Sequence, residues 1–269
     1  MGAGDASQFR RHSARVGDLT ISYLKGGRGK PLLYLHGLSG WGRWETYHLA
    51  LAISHMVYAP QLPGWPDGQL PASIKSVSDY AAIMFKFLDA IEVETTDIVA
   101  HSFGAWIAMY MAVEQPARFS KMVLADAMGL DVPDAPAADL ASITEESFLR
   151  AAFAQTGVRL FPGDFGAIVE DVRQSQEFRR QWKSRGIVAG LVNGHYADPG
   201  LTSSLHKITA ETLVVWGRED HLVPLRHAEI LTASIPRSKL AVIDGSGHTP
   251  MGEKRESFQR LAHDFLAAK

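Results

Sequence analysis

The stretch Ile98-Val99-Ala100-His101-Ser102-Phe103-Gly104-Ala105 decides how the surrounding chain folds. Residues 97–100 predict a buried strand, and the residues after Gly104 predict a helix. Ser102 stands at the turn, with Ala100 two positions before it and Gly104 two positions after it. Small residues there let a strand turn sharply into a helix, which exposes the serine hydroxyl. An ordinary strand–loop–helix with an incidental serine also fits this stretch, so the rest of the sequence has to decide.

Length and composition restrict the class of protein. A chain of 269 residues can bury the core of one large α/β domain, or of a domain with an insertion. Its 46% hydrophobic and 21% charged residues are typical of a soluble globular protein. The net charge of -2 gives no indication of the positive surface potential that would attract nucleic acid. The absence of cysteine excludes disulfides, thiolate metal sites and a cysteine nucleophile, and it fits a reducing compartment.

The sequence also suggests where the protein works and with what partners. No apolar run approaches about 18 residues, so we predict no membrane span. The small, polar residues 1–6 lack the apolar centre of a signal peptide. We therefore expect a cytoplasmic protein, monomeric or homodimeric, whose partner is a small-molecule substrate rather than nucleic acid or a membrane.

Apolar strand-like runs alternate with segments of helical spacing along most of the chain. The predicted strands cover residues 16–24, 31–35, 55–60, 97–100, 121–126, 212–216 and 240–243. One intervening helix is predicted to begin after Ser78 as its N-cap. Alternating strands and helices indicate an α/β fold, with a mostly parallel, doubly wound sheet covered on both faces.

This alternation stops after Asp126. Residues 128–207 contain amphipathic stretches but no convincing strand. We predict that they form a helical cap inserted after the predicted strand 121–126. Residues 1–127 and 208–269 would then form the core domain.

Three residue types suited to nucleophilic catalysis follow three different predicted strands. Ser102, Asp220 and His248 occur in the order nucleophile, acid, base. Ligands bind beyond the carboxyl ends of the strands in such sheets, and this is the chain order of a Ser-Asp-His triad there. A serine hydroxyl needs a base to take its proton, which histidine can do near neutral pH. The aspartate would hold the imidazole in the required tautomer.

Two further features complete this predicted site. The backbone N–H groups of Leu38 and Phe103 are candidates for stabilising an oxyanion. Asp126 is an alternative to Asp220 as the acid, since it ends the strand before the insertion.

Four segments of the sequence resemble the α/β-hydrolase superfamily, in the subgroup with a helical cap after the sixth strand. They are His36-Gly37-Leu38, the turn at Ser102, Gly217-Arg218-Glu219-Asp220 and Gly247-His248. The resemblance runs from about Val16 to the C-terminus and implies the same roles for the triad and oxyanion residues. The family often has Asp-x-Pro-Gly-x-Gly-x-Ser after the fourth strand, where residues 61–68 read Gln-Leu-Pro-Gly-Trp-Pro-Asp-Gly. That departure affects inference about the substrate and leaves the triad unchanged.

Four residues are candidates for lining a substrate pocket: His36, His101, Trp41 and Trp65. Each also has a structural interpretation, since His36 could support the oxyanion loop, His101 could pack in the core and the tryptophans could cover the sheet. The eleven histidines show no metal-ligand spacing, and no phosphate loop or dinucleotide fingerprint appears. We therefore predict no metal and no cofactor.

The resemblance implies a serine hydrolase that acts through an acyl-enzyme on a small to medium ester or lactone with apolar parts. A carbon–carbon bond hydrolase of aromatic ring-fission products is the main alternative. Such relatives commonly carry Trp after the catalytic histidine, where this chain has Thr249. A ligand receptor of the same fold, or a cofactor-free oxygenase or lyase, is a further alternative.

Overall fold

The computed structural model describes residues 10–38, 45–65, 70–154, 174–191 and 197–268, which build one eight-stranded sheet. The strands are β1 (Arg10–Val16), β2 (Leu19–Gly27), β3 (Lys30–Leu35), β4 (His55–Pro60), β5 (Thr96–His101), β6 (Phe119–Ala125), β7 (Glu211–Gly217) and β8 (Ser238–Ile243). Their order across the sheet is β1-β2-β4-β3-β5-β6-β7-β8. The β1/β2 and β2/β4 pairs are antiparallel and the other five pairs are parallel. The predicted mostly parallel sheet is confirmed.

Helices lie on both faces of this sheet. The α-helices in the described part of the chain are α1 (Thr46–Leu51), α2 (Val77–Ala90), α3 (Phe103–Glu114), α4 (Glu145–Ala152), α5 (Gln176–Leu191), α6 (Pro199–Ser204), α7 (Arg226–Ser234), α8 (Pro250–Glu253) and α9 (Arg255–Ala267). Helices α2, α3 and α7 pack in one apolar cluster, and α1 and α9 pack in another. Within β3, Leu33 and Leu35 belong to the first cluster while Leu32 and Tyr34 belong to the second. This alternation follows from the two-residue period of a strand, and it confirms the doubly wound arrangement.

Two local predictions differ from the structure. The predicted strand 16–24 corresponds to β2, and the sequence did not predict β1, which lies at one edge of the sheet and whose polar sequence reflects its exposed position. The N-cap of α2 is Ser76 rather than Ser78. The Ser76 hydroxyl accepts a hydrogen bond from the Asp79 N–H, and the Asp79 carboxylate accepts one from the Ser76 N–H. This reciprocal pair satisfies two N–H groups at the helix start, which Ser78 as the cap would leave unpaired.

The inserted residues lie between two neighbouring strands. The chain leaves the sheet at the end of β6 and returns as β7, which pairs directly with β6. The part described in between contains α4, α5, α6 and one isolated bridge, between Gly129 and Ala197. The boundaries 128–207 for a cap domain stay a prediction. Among the helices described, none is both long and apolar enough to cross a membrane.

Candidate active site

The turn between β5 and α3 holds Ser102 in an unusual backbone conformation, with φ 53° and ψ -117°. A positive φ is uncommon for a residue with a side chain and marks local strain. The Ser102 N–H donates to the Ala125 carbonyl of β6 at 2.9 Å, which holds the turn against the sheet. A methyl group at Gly104 would lie 2.4 Å from the Leu35 carbonyl oxygen. The small residue two positions after the serine is therefore a steric requirement, as predicted.

The structure brings the three predicted triad side chains together. The Ser102 hydroxyl donates to His248 Nε2 at 2.8 Å, and His248 Nδ1 donates to Asp220 Oδ2 at 2.7 Å. All three residues are buried. The other oxygen of Asp220 accepts hydrogen bonds from the N–H groups of Leu222 and Val223. Because a carboxylate oxygen can only accept, we assign the proton of His248 to Nδ1, which leaves Nε2 free to accept from Ser102.

His101, the residue before Ser102, contacts the triad. Its Nε2 donates a hydrogen bond to the backbone carbonyl oxygen of His248 at 2.7 Å. Burial, assisted by the nearby His248, lowers the pKa of His101 to about 3, so its ring is neutral near pH 7. The uncharged His101 ring therefore supports the position of His248 through this hydrogen bond.

The two predicted oxyanion donors flank the serine. Phe103 is the first residue of α3, where a backbone N–H has no acceptor within the helix. Leu38 follows β3 and lines the same cavity as Ser102. Neither N–H donates to an acceptor in the part of the chain that the structure describes. Both N–H groups are thus available to a substrate oxygen.

His36 and Trp65 lie behind Leu38. The Trp65 ring stacks on Phe103 with centroids 5.5 Å apart, and its Nε1 donates to the Leu38 carbonyl at 3.0 Å. His36 Nδ1 donates to the Gly37 carbonyl at 2.7 Å. Burial lowers the pKa of His36 to about 4. These contacts support the interpretation of His36 and Trp65 as braces of the Leu38 segment, and Trp41 lies outside the described residues.

A cavity of about 20 Å³ opens beside the serine hydroxyl. Its walls are mostly apolar, and they include residues of the core and of the insertion. The lining residues are Leu38, His101, Ser102, Met128, Ala138, Leu140, Phe148, Leu222, Val223 and His248. Because this space is close to that of one water molecule, side chains have to move apart before a substrate enters.

A partly buried carboxylate, that of Glu253, joins the insertion to the His248 loop, and the sequence did not predict it. Glu253 accepts hydrogen bonds from the N–H groups of Ala154 at 2.9 Å and Gly247 at 3.1 Å. Beside them, the His248 N–H donates to the Ala152 carbonyl at 2.7 Å. Burial raises the pKa of Glu253. Nothing in the sequence distinguishes Glu253 from an ordinary helix residue, because its partners are distant along the chain.

The alternative acid, Asp126, is also in this region. It is fully buried, and its Oδ1 accepts from the Gly217 N–H at 2.9 Å. The imidazole of His248, however, donates to Asp220. Asp126, Asp220 and His248 each offer one ligand-type atom, and these atoms lie within 4.8 Å of one another. Asp220 and His248 already hydrogen-bond each other, and Asp126 accepts from Gly217, so the proximity of the three side chains does not require a metal. The absence of a metal stays a prediction.

The family model described as the alpha/beta hydrolase family matches residues 32–260. The chain belongs to the alpha/beta hydrolase family. The match includes the Ser102 turn, Asp220 and His248, and it confirms the resemblance to the α/β-hydrolase superfamily. Membership of the subgroup with a helical cap stays a prediction.

Two curated relatives match this alpha/beta hydrolase along most of its length. The 2-hydroxymuconate semialdehyde hydrolase of Pseudomonas sp. (strain CF600) is 30% identical, over 90% of this chain and 88% of its own. The 2-hydroxy-6-oxo-6-phenylhexa-2,4-dienoate hydrolase of Comamonas testosteroni is 28% identical, over 98% of this chain and 97% of its own.

A solved structure shares the architecture of this alpha/beta hydrolase. The crystal structure of a membrane phospholipase A, a bacterial virulence factor, aligns with a TM-score of 0.78 and 24% identity. It covers 98% of this chain and 87% of that chain. At this identity the likeness establishes the fold, and function has to be argued from the site.

Proposed function

We propose that this chain is a hydrolase that breaks a carbon–carbon bond in 2-hydroxy-6-oxo-dienoates, compounds formed when an aromatic ring is opened. The observation that carries the proposal is the near full-length similarity to two hydrolases named for such substrates. This is the main alternative that the sequence suggested, and the relatives favour it over an ester or a lactone.

The chemistry of the named substrates specifies the bond. They contain a carboxylate, an enol and a ketone or aldehyde, and they contain no ester, amide or lactone. Hydrolysis must therefore break the bond between the carbonyl carbon C6 and its neighbour C5. When the C2 enol has moved its proton to C5, the substrate is a ketone at C2 with a C3–C4 double bond. The electron pair released on C5 is then delocalised onto the C2 oxygen.

The hydrogen-bonded side chains supply the proton transfers for this reaction. Ser102 Oγ adds to C6 while its proton passes to His248 Nε2, and Asp220 stabilises the resulting imidazolium. Cleavage of C5–C6 releases the electron pair, and the imidazolium proton neutralises the dienolate that leaves. His248 next deprotonates a water molecule, which hydrolyses the acyl group from Ser102 and releases a carboxylic acid.

The backbone donors and the insertion have proposed roles in the same reaction. The free N–H groups of Leu38 and Phe103 would bind the oxygen of C6 as it becomes an oxyanion. Residues 128–207 would act as a cap that holds the substrate, because Leu140 and Phe148 line the cavity beside Ser102.

Loss of the dienoate chromophore tests the proposal. We expect the purified protein to consume 2-hydroxymuconate semialdehyde or its 6-phenyl analogue, and Ser102→Ala to abolish turnover. The matched control is Ser120→Ala, an exposed serine at the amino-terminal end of β6, which should leave turnover unchanged. Hydrolysis of neither dienoate, with folded protein, would refute the proposed substrate class.

An ester hydrolase is the second candidate, and one observation favours it. Among the described residues that line the cavity there is no lysine or arginine to pair with the dienoate carboxylate. A panel of short- and medium-chain aryl esters, assayed beside the dienoates with the same two variants, decides between the candidates. A kcat/KM for an ester at least tenfold above that of either dienoate would select the second candidate.

A further inference from the structure

Asp126 and Asp220 place two buried carboxyl groups side by side at the ends of neighbouring strands. Asp126 follows β6 with a positive φ of 44°, and Asp220 follows β7. One carboxyl oxygen of Asp126 and one of Asp220 lie within 4.8 Å of each other. One is fully buried and the other is only 3% exposed. Water therefore cannot screen a second negative charge at this position.

The hydrogen-bond partners identify which carboxyl group is charged. Asp220 accepts from two backbone N–H groups and from His248, as a carboxylate does. Asp126 Oδ1 accepts from the Gly217 N–H, whereas no donor among the described residues reaches Asp126 Oδ2. Two carboxyl groups can hydrogen-bond each other only if one keeps a proton, and the oxygen without a donor is the one to carry it.

We propose that Asp126 is a positioning residue that stays protonated at neutral pH and donates a hydrogen bond from Oδ2 to the carboxylate of Asp220. It holds that carboxylate toward His248 and limits the array of Asp126, Asp220 and neutral His248 to one negative charge. This inference extends the proposed function, because it concerns the acid of the same triad.

The ionisable surroundings of Asp126 agree with this assignment. Burial and the neighbouring Asp220 both raise its pKa well above the usual value, and Glu253 raises it further. His248 is the third member of the array. His227 lies near Asp220, and burial lowers its pKa, so it adds no cation near neutral pH. Burial and the two acidic neighbours, Asp220 and Glu253, therefore favour a neutral Asp126.

Infrared difference spectroscopy tests for the proton itself. We expect the wild-type protein to show the carbonyl stretch of a protonated carboxylic acid at about pH 8, where ordinary aspartates are ionised. Asp126→Asn should remove this band, and Asp131→Asn, which changes an exposed aspartate, should retain it. A wild-type spectrum without the band would overturn the proposal, and this measurement needs no substrate.

The pH dependence of Ser102 labelling by a fluorophosphonate probe tests the effect on the base. On the acid side of the labelling profile, the rate falls as His248 becomes protonated, and we call this part the acid limb. Asparagine mimics a neutral Asp126, so the acid limb of Asp126→Asn should lie within about half a pH unit of that of wild type. If Asp126 were ionised, removing its charge next to His248 would move the limb down by about one unit or more. That downward shift would overturn the proposal.

The Asp126→Ala variant tests whether Asp126 positions Asp220 or only links β6 to β7. Without the donated hydrogen bond Asp220 holds the imidazolium more strongly, so the acid limb should move up and labelling should slow roughly three- to tenfold. Slower labelling with an unmoved limb would indicate only a brace between β6 and β7 and would overturn the proposal. A protein with normal labelling that cleaves no dienoate would refute the proposed substrate class and leave this inference standing.

Discussion

The imidazole of His101 donates a hydrogen bond from Nε2 to the backbone carbonyl oxygen of His248, at 2.7 Å. The residue before Ser102 thereby supports the backbone of the residue that accepts the Ser102 proton. Two hydrogen bonds thus join the Ser102 turn to the His248 loop. One links the Ser102 hydroxyl to the His248 ring, and the other links the His101 ring to the His248 backbone.

We expect His101→Ala to lower kcat about three- to tenfold, because one hydrogen bond that positions His248 is lost. His101→Gln can still donate through its amide and should retain most of the activity. Because the pKa of His101 is about 3, neither change should move the acid limb of the pH–rate profile above about pH 5. Rates for both variants equal to wild type would contradict this role.

Glu253→Gln should weaken the contact between the insertion and the His248 loop. Its carboxylate accepts hydrogen bonds from Ala154, Gly247 and Thr249, and an amide nitrogen placed there would face donors. We expect the free energy of unfolding to fall by about 1–3 kcal/mol and kcat to fall with it. The exposed Glu256→Gln, on α9, is the control, and urea unfolding of both variants is the measurement. Equal stability of the Glu253→Gln and Glu256→Gln variants would show that the hydrogen bonds of Glu253 contribute nothing to stability.

Gly104→Ala tests the steric requirement at the serine turn. The added methyl group would lie 2.4 Å from the carbonyl oxygen of Leu35 and 2.6 Å from that of His36. Since these atoms are backbone, we expect a loss of about 3 kcal/mol or more and little probe labelling. Gly186→Ala in α5 meets nothing within 4 Å and should be neutral or stabilise the protein by up to about 1 kcal/mol. Normal labelling of Gly104→Ala would show that the turn can relax.

His36 should make the stability depend on pH. Its pKa is about 4 in the folded protein and about 6.5 when unfolded. Below about pH 6.5 the unfolded chain binds a proton that the folded chain excludes, so stability is lost as the pH falls toward 4. The expected loss is at most about 1.4 kcal/mol per pH unit.

Urea unfolding between about pH 7 and about pH 5 measures this dependence. His36→Gln should have a shallower slope than wild type, while the exposed His206→Gln should follow wild type. Parallel slopes for all three proteins would exclude His36 as a source of the acid sensitivity.

Local patterns were enough to predict the parts of the site that local sterics control. Ala100 and Gly104 around Ser102 predicted a turn that admits only small residues, and a methyl group at Gly104 does clash with the backbone. The position of Asp220 and His248 after two strands predicted their convergence, because parallel strands end at one rim of a sheet.

The sequence by itself determined the alternating fold, the strained serine turn and the three side chains that meet there, because two-residue and helical periodicity and backbone sterics act over short distances. Only the tertiary structure decided that His248 bonds Asp220 rather than Asp126, since both acids end neighbouring strands. It also showed that Trp65 donates a hydrogen bond to the Leu38 carbonyl and that Glu253 accepts one from Ala154 of the insertion. These contacts join residues far apart in the chain, so they depend on strand register and packing, which no short stretch of sequence encodes.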